Sequence, residues 1–387
     1  MTVEPDVLVV GAGPAGSAAA AALAHDFDVT LVEEHQHPGS PLQCAGLVTP
    51  RGVPEFARGC IIAKIRGAHI HSPLGYSLSL ESKGTHAYVL DRSRFDSLMF
   101  DRAVDAGAVA RLGTRVSSLS VKGDRSSATI TTGDTSQVVA PECVIGADGH
   151  NSVCRKATGL SPPRHVLRGM QVDLRGVEMD PEFVEVFLGR NVAPGFFGWA
   201  IPAGDLVRLG LCVWGDVGAP SVYLRKLLSQ PRFAGGRKVS VASGRIPLGA
   251  GRSATSGPIL LVGDAACHAK PLSGGGVYTG VRGAELASEA VSAFLSDREA
   301  CSLKTYDDMW REAFGRELAK AFRLRRIFLG LTDKRIDKAL RVFDEPAVRS
   351  LMEDKGDIDY PSALSSSVLK LAPKLVQFSP ELIKSFL

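Results

Sequence analysis

This chain of 387 residues lacks the features that mark secreted, metal-binding and membrane-spanning proteins. Its seven cysteines form no C-x-x-C pair or clustered spacing, so neither a disulfide framework nor a metal site is indicated, which fits a reducing compartment. No apolar run of roughly 18 residues occurs and no signal peptide is recognisable, so we expect a cytoplasmic protein without a membrane span. A net charge of only +4 and the lack of a recognition motif argue against a nucleic-acid partner.

Aromatic residues are also few, at 6%, whereas hydrophobic residues make up 45% of the chain. A chain of this length and composition can bury an extensive core. No internal repeat and no low-complexity tract is visible. We therefore expect one large globular body rather than an array of small modules.

Glycine is abundant and is placed in a meaningful pattern near the start of the chain. The apolar run Val7–Val10 is followed by Gly11, Gly13 and Gly16 and then by an alanine-rich stretch, which indicates a strand, a tight turn and a helix. In such a turn the first glycine makes the bend, the second lets a pyrophosphate approach and the third lets helix and strand pack. Glu33 follows a second apolar run, where a carboxylate would bind ribose hydroxyls. A dinucleotide site is favoured over an ordinary glycine turn, but this motif alone does not separate FAD from NAD.

Two further apolar runs end in an acid and a glycine-rich turn. Asp148 and Asp264 each follow such a run, and an acid just beyond a strand can bind a ribityl hydroxyl. Residues 274–276 are three glycines that open a helical stretch from Val277. A helix start of this kind can place N–H groups and a positive dipole against the pyrimidine edge of a reduced flavin. Singly each signal is ordinary, and their order along one chain is what favours FAD.

The order of these motifs resembles the FAD-dependent group that includes the aromatic hydroxylases, and within it the geranylgeranyl reductase family. The narrower resemblance covers nearly the whole chain. It rests on Pro-Leu-Gln-Cys-Ala-Gly-Leu at residues 41–47, Arg-Ser-Arg-Phe-Asp at 92–96, Gly-Trp-Ala-Ile-Pro at 198–202, and Pro271 with the triple glycine. It implies an FAD-dependent oxidoreductase that saturates isoprenoid double bonds, as of archaeal-type membrane lipids.

The expected fold is α/β, with a Rossmann-type FAD-binding domain, an inserted antiparallel β-sheet substrate domain and a C-terminal helical segment. The FAD-binding domain is expected to be discontinuous, over residues 1–60, 90–160 and 255–300. The substrate domain would take residues 61–89 and 161–254, as one antiparallel sheet over the flavin. Residues 301–387 would form the helical region.

The motifs and the resemblance together imply a set of site residues. Cys44 is the expected catalytic residue, in a loop beside the flavin ring, although a buried cysteine is often only a small hydrophobe. Phe197, Trp199 and Pro202 are expected to bind substrate, and no metal is expected. The expected cofactor-binding residues are Gly11, Gly13, Ala15, Gly16, Glu33, Cys44, Ala45, Gly46, Arg92, Val116, Asp148, Asp264, Gly275, Gly276 and Val277.

Some assignments stay open at this point. Arg92 would reach the flavin or its phosphates, or pair with Asp91 or Asp96 on its own helix. His71 and His268 are further candidates for a proton donor, since imidazole titrates near neutrality. The basic stretch 311–341 would either touch an anionic membrane as a peripheral contact or form a solvated helix face.

Function is likewise open in its details. The expected partners are an isoprenoid lipid substrate and an electron donor, for which ferredoxin, a reduced cofactor and NADPH are alternatives because no second complete G-x-G-x-x-G is present. The alternative functions are an FAD-dependent monooxygenase, a reductase of quinone prenyl side chains and a non-catalytic electron carrier.

Overall fold

The computed structural model describes residues 4–123, 125–215, 217–249, 251–298, 302–373 and 375. The strands in chain order are β1 (Val7–Val10), β2 (Val29–Val32), β3 (Leu47–Val48), β4 (Ile61–Ile65), β5 (Gly67–His71), β6 (Ser77–Glu81), β7 (Ala87–Leu90), β8 (Val109–Arg111), β9 (Thr114–Lys122), β10 (Arg125–Thr132), β11 (Thr135–Val139), β12 (Cys143–Gly146), β13 (His165–Arg175), β14 (Phe183–Phe187), β15 (Gly198–Ala203), β16 (Leu206–Trp214), β17 (Arg237–Leu248), β18 (Thr255–Ser256) and β19 (Ile259–Leu261). The helices are α1 (Pro14–Leu23), α2 (Arg92–Asp105), α3 (Val153–Thr158), α4 (Pro220–Leu228), α5 (Pro231–Ala234), α6 (Val277–Ser296), α7 (Thr305–Trp310), α8 (Arg316–Leu329), α9 (Asp333–Phe343), α10 (Pro346–Lys355) and α11 (Ser365–Leu371).

A mostly parallel sheet of six strands, in the order β18-β19-β12-β1-β2-β8, is one of the two large sheets of the molecule. Val7 pairs with both Cys143 and Val29, so β1 lies in the middle between β12 and β2. The runs β1, β2, β12 and β19 are apolar throughout and fully buried, as expected of parallel strands that are covered on both faces. Helices α1 and α6 pack against each other beside this sheet. The predicted α/β class is confirmed.

The other large sheet has seven strands, in the order β17-β13-β16-β15-β14-β5-β6. It differs from the expected single antiparallel sheet in two respects. Strands β14 and β5 pair in parallel, with Phe183 opposite Gly67, because the chain enters this edge from a distant crossover. Strands β4 and β7 leave it and form a separate three-stranded sheet with β3. The division of the chain into discontinuous domains stays a prediction.

The C-terminal region is helical over much of residues 305–371, as expected, and residues 376–387 of the predicted helical region lie outside the described residues. Helix α7 continues through a π-helical turn at Arg311–Gly315 into α8. Helices α8 and α9 each bury one face, with Leu318 and Phe322 on α8 and Ile336 and Leu340 on α9. Among the described residues, no helix is both long enough and apolar enough to cross a membrane.

Candidate functional site

The glycine-rich turn between β1 and α1 has two positions that the fold requires to be glycine. A Cβ on Gly11, whose φ is +97°, would lie 2.6 Å from the Ala147 carbonyl oxygen, and one on Gly16 would lie 1.8 Å from the Gly11 carbonyl oxygen. Gly13 differs, because a Cβ there would meet no atom within 4 Å. Gly13 is also the N-cap of α1 and has no capping side chain. The first N–H groups of the helix are therefore accessible to a phosphate.

Glu33 lies just beyond β2 and is joined to this turn. Its Oε2 accepts a hydrogen bond of 2.8 Å from the Ala12 N–H, and its Oε1 accepts one of 3.0 Å from the His35 N–H. The carboxylate thus fixes the turn between β1 and α1 from the neighbouring strand. A bond from Glu33 to a ribose stays a prediction.

Asp148 and Asp264 follow the same sequence pattern but have different surroundings. The Asp148 carboxylate accepts bonds from Ser152 Oγ at 2.5 Å, from the Val153 N–H at 2.7 Å and from the Cys154 N–H at 3.0 Å. One oxygen, Oδ2, therefore accepts from the first two N–H groups of α3, and the other, Oδ1, holds the hydroxyl of the N-cap residue Ser152. A contact between this carboxylate and a cofactor stays a prediction, and the structure gives the side chain a structural task.

Asp264 has no hydrogen-bond donor on its carboxylate among the described residues. Burial raises the pKa of this carboxyl to about 6, although Arg92 acts to lower it. A Cβ on Gly276 would lie 3.4 Å from the Asp264 Oδ1, so the acid faces the glycine-rich start of α6. That start has no capping side chain and no acid in its first turn. A carboxylate acceptor and bare helix N–H groups thus lie side by side.

The two helix starts also lie together. The Ala15 Cβ is 3.3 Å from where a Cβ on Gly263 would lie, and 3.6 Å from the same point on Gly280 of α6. The turn that offers N–H groups to a phosphate is therefore next to the acid that can accept from a sugar alcohol. This combination of an open helix start and a partly buried acid that has no donor among the described residues fits FAD, which carries a pyrophosphate and a ribityl chain.

Cys44 lies in the loop after β2, close to two buried guanidinium groups. Its sulfur accepts a hydrogen bond of 3.3 Å from the Gly46 N–H. Arg92 binds Asp96 through two bonds of 3.1 and 3.0 Å. Although burial lowers it, the pKa of Arg92 is raised by the Cys44 sulfur and by Asp96. Arg92 therefore pairs with Asp96 on its own helix and lies beside the Cys44 loop and Asp264, whereas its contact with the flavin or its phosphates stays a prediction.

Arg208 is a site residue that sequence reasoning missed. Its Nη1 donates to the Ala45 carbonyl oxygen at 2.8 Å and to the Leu90 carbonyl oxygen at 3.0 Å. It holds the Cys44 loop from the seven-stranded sheet while Arg92 holds it from α2. The available signal was a charge in the middle of β16, an otherwise apolar strand whose central residues are buried.

An aromatic row lies near the same loop. The rings of Phe196 and Phe197 stack with centroids 4.2 Å apart, and Phe197 meets Trp199 edge to face at 6.3 Å. The Trp199 indole N–H donates to Gln171 Oε1 at 3.2 Å. Phe196 reaches to 3.3 Å from where a Cβ on Gly274 would lie, in the glycine-rich loop. The row therefore connects the seven-stranded sheet with the start of α6.

A large apolar cavity lies between the sheets and the C-terminal helices. Its volume is about 550 Å³. Leu47, three positions after Cys44, forms part of its wall. Its other apolar walls are contributed by two regions of the chain, namely Ile65, Ala68, Leu80, Ala87 and Val184 from the strands, and Leu324, Ile327, Phe328, Leu331, Ala339, Phe343, Met352, Ile358, Leu364, Val368, Leu369 and Leu375 from the C-terminal region.

The predicted substrate residues do not line this cavity. Phe197, Trp199 and Pro202 are absent from its walls, within the part of the chain that the structure describes. Trp199 packs instead against the cluster that includes Ala45 and Leu47. The three residues are not needed as a wall of the cavity because the apolar faces of helices α8–α11 form that wall. Direct substrate contact by the three predicted residues stays a prediction.

The two candidate histidines are held in structural positions. His268 is fully buried between the rings of Trp310 and Phe314, each with its centroid 5.0 Å away. Burial lowers its pKa to about 3, which favours the uncharged imidazole at neutral pH, and a proton-donor role for His268 stays a prediction. His71 bonds Glu185 through Nε2 at 2.9 Å and Ser77 through Nδ1 at 2.8 Å. A proton-donor role for His71 stays a prediction.

Two other predicted positions have unexpected surroundings. Val116 is buried in the core that contains the parallel sheet, so only its backbone could serve a cofactor. Arg325, in the basic stretch, is 2% exposed and stacks over Phe196 at 4.2 Å, and burial lowers its pKa to about 9. It cannot contact a membrane, whereas its neighbours Arg323 and Arg326 are exposed. Peripheral membrane contact stays a prediction that depends on the exposed residues alone.

Comparison with known proteins gives consistent matches along the chain. The family model of an FAD binding domain matches residues 4–223. An uncharacterised protein of Methanocaldococcus jannaschii is 32% identical over 377 residues, covering 94% of this chain and 95% of that protein. The digeranylgeranylglycerophospholipid reductase of Methanosarcina acetivorans is 31% identical over 354 residues, covering 86% of each chain.

A solved structure shares the whole fold. The crystal structure of a geranylgeranyl bacteriochlorophyll reductase-like protein from Thermoplasma acidophilum superposes with a TM-score of 0.88 at 22% identity. The match covers 99% of this chain and 100% of that chain. The arrangement of sheets and C-terminal helices is thus common to both proteins.

Proposed function

The chain belongs to the geranylgeranyl reductase family of FAD-dependent oxidoreductases, and from this premise we propose that it saturates isoprenoid double bonds of archaeal-type membrane lipids. The relatives named as digeranylgeranylglycerophospholipid reductases support this substrate class. The observation that carries the proposal is the apolar cavity of about 550 Å³ whose wall includes Leu47, three positions after Cys44. A largely apolar cavity of this kind suits a long hydrocarbon chain.

Reduction of an isolated alkene needs a hydride at one carbon and a proton at the other. Reduced FAD supplies the hydride when it is bound. We assign the proton to the Cys44 thiol, since Cys44 lies beside the guanidinium groups of Arg92 and Arg208 and its loop leads into Leu47 of the cavity wall. Once the thiol has given its proton, the nearby Arg92 guanidinium stabilises the negative sulfur, and solvent returns the proton afterwards. The two electrons come from an external donor, with ferredoxin, a reduced cofactor and NADPH as the predicted alternatives.

The clamp on the Cys44 loop supports this assignment. Arg208 bonds the Ala45 carbonyl oxygen, and the Gly46 N–H bonds the sulfur, so the thiol is held on both sides. A group that is fixed before substrate arrives loses little entropy in the reaction. Arg92 and Arg208 are therefore positioning residues in the proposal, and Cys44 is the catalytic residue.

The first test is mass spectrometry of lipids after anaerobic incubation with dithionite-reduced enzyme. We expect geranylgeranyl lipids to gain two daltons for each bond reduced. Gains only in quinones would move the proposal to reduction of quinone prenyl side chains. Oxygen uptake with NADPH and no gain in any isoprenoid would favour the monooxygenase interpretation and contradict the reductase.

A second test fills the cavity. The substitution Ala339→Phe places a ring inside the cavity from α9, so we expect KM for a geranylgeranyl lipid to rise at least about tenfold, or 1.4 kcal/mol. Ala319→Phe on the exposed face of α8 is the matched control, because it costs the same helix propensity outside the cavity. Thermal unfolding of both variants checks that the folds are equal. The same KM for both variants would show that the chain does not enter this cavity.

A further inference from the structure

The short segment 356–362, between α10 and α11, has two sides with different neighbours. On one side Gly356, Asp357, Ile358 and Pro361 line the apolar cavity. On the other side the Asp359 side chain is fully buried and forms an ion pair with Lys270. The segment therefore touches both the cavity and another loop of the molecule. We call it the linking segment.

Lys270 belongs to the glycine-rich loop that precedes α6. Its N–H donates to the Gly275 carbonyl oxygen at 2.9 Å, and the Gly274 N–H donates to the Lys270 carbonyl oxygen at 2.8 Å. The Lys270 Cε is 3.2 Å, and its Nζ 3.5 Å, from where a Cβ on Gly275 would lie. The ammonium thus lies directly beneath the glycine backbone that is predicted to hold the flavin.

The linking segment has further contacts that fix it. Arg51 Nη1 lies 2.9 Å from Asp357 and 3.3 Å from Asp359. The Tyr360 hydroxyl lies 3.0 Å from the Tyr278 hydroxyl, on the first turn of α6. Movement of the segment would therefore displace the start of α6 and the loop before it through two separate contacts, Tyr360 with Tyr278 and Asp359 with Lys270.

Buried charge makes the Lys270–Asp359 contact sensitive to position. Both side chains are nearly or wholly inaccessible, at 8% and 0% exposed. A buried pair tolerates little displacement, because each charge depends on the other once water is excluded. A positive charge at this loop favours a reduced flavin, which carries negative charge on its pyrimidine edge.

We propose that Lys270 and Asp359 link the cavity to the flavin loop, so that a chain in the cavity sets how strongly the protein favours reduced over oxidised FAD. A chain in the cavity contacts the linking segment, and Asp359, which is already paired with Lys270, transmits a shift of the segment to the ammonium beneath the glycines. Lys270 and Asp359 are positioning residues, and the nature of the chain in the cavity rests on the proposed function. Substrate binding would in this way prepare the flavin to accept electrons.

The test measures the midpoint potential of bound FAD by anaerobic dye equilibration, with and without geranylgeraniol as the probe. In the parent protein we expect geranylgeraniol to raise the potential. Lys270→Met should lower the potential without the probe and abolish the response to it. The expected loss is at least about tenfold in preference for reduced FAD, which is 29.6 mV for a two-electron couple. Asp359→Asn keeps the Lys270 charge and should abolish mainly the response.

Control variants keep the result interpretable. Lys270→Arg retains the charge and should retain the response. Arg282→Gln removes one exposed charge from α6 and should leave both potentials unchanged. The double variant Lys270→Met with Asp359→Leu removes both buried charges together, so neither is left without its partner. It is used in place of a single variant that does not fold. FAD content and thermal unfolding establish that each variant is folded.

Two results would overturn the link, namely a parent-like potential in Lys270→Met or a full geranylgeraniol response in Asp359→Asn. Direct binding of geranylgeraniol, followed by the quenching of tryptophan fluorescence, separates this failure from that of the proposed function. If the probe binds the parent protein without changing its potential, the link is wrong and the substrate proposal stands. If the probe does not bind, the proposed occupant is wrong, and a parent-like potential in Lys270→Met alone then rejects the role of the lysine.

Discussion

The substitution Gly13→Asp is expected to give a folded but colourless protein, whereas the parent protein is expected to be yellow with tightly bound FAD. A Cβ at Gly13 meets no atom within 4 Å, so the side chain fits the fold. Gly13 has extended backbone angles and is the N-cap of α1, where aspartate is a favoured residue. We expect the free energy of unfolding of the FAD-free protein to stay equal or to rise by a few tenths of a kcal/mol.

The same aspartate should remove flavin affinity. Its carboxylate would bond the N–H groups that a pyrophosphate needs and would repel the phosphates. Two unit charges 4 Å apart near a protein surface interact by about 4 kcal/mol, which corresponds to roughly a thousandfold in the dissociation constant. Titration with FAD, followed by flavin fluorescence, measures this change.

Two other glycine variants serve as controls for this experiment. Gly13→Ala adds the same Cβ without the charge and should retain much more affinity than Gly13→Asp. Gly16→Ala places a Cβ 1.8 Å from the Gly11 carbonyl oxygen, so it should lower stability as well as FAD binding. Parent-like affinity in Gly13→Asp would show that the phosphates bind elsewhere.

The second large effect is expected for Cys44→Ser. The hydroxyl keeps an acceptor for the Gly46 N–H, so the loop and the flavin should stay in place. A serine hydroxyl is a much weaker acid than a thiol, and a positioned general acid contributes about 10²–10⁴-fold to a rate. We therefore expect alkene reduction in a single turnover to slow by at least about a hundredfold, with FAD content and affinity unchanged. Stopped-flow reoxidation of the reduced flavin by substrate measures this rate.

Cys143→Ala is a suitable control for Cys44→Ser. Cys143 lies in β12, and burial raises the pKa of its thiol to about 12, so it keeps its proton at any working pH. Its loss should alter stability without altering the single-turnover rate. If Cys44→Ser reduces substrate as fast as the parent, Cys44 is a structural residue and the proton comes from another group.

The glycine turn was predictable because its constraints are local. Gly11 and Gly16 face backbone atoms only a few residues away or on the adjacent strand, and no other residue type fits. The parallel sheet was predictable for a similar reason, since continuous apolar runs rarely occur in sheets with an exposed face. Such features depend on sterics and periodicity, which a sequence displays directly.

Asp148 and Asp264 show that the local sequence pattern does not predict what binds each carboxylate. Each follows an apolar strand, yet Asp148 caps α3 and Asp264 has no protein donor among the described residues. The difference depends on whether a helix starts within reach of the carboxylate, which is a tertiary property. Arg208 was missed for the same reason, because its partners are carbonyl oxygens of Ala45 and Leu90, which are distant in sequence.

The cavity could not be located from the sequence because its walls come from two distant regions. The apolar faces of α8–α11 indicate that one side of each helix is buried, but they do not indicate which part of the protein covers that side. The prediction therefore assigned the substrate wall to Phe197 and Trp199, which follow a recognisable motif. The structure places the helices opposite the strands near Leu47 and leaves the space between them.

This division of the cavity walls has a consequence for how the protein can be redesigned. Described residues between Leu324 and Leu375 contribute one wall, and that stretch of the sequence carries none of the glycine turns, the acids or the thiol of the flavin side. Chimeras that exchange this region between relatives but keep Asp359 and Tyr360 would therefore alter chain-length selectivity and leave the flavin-side residues and their contacts in place.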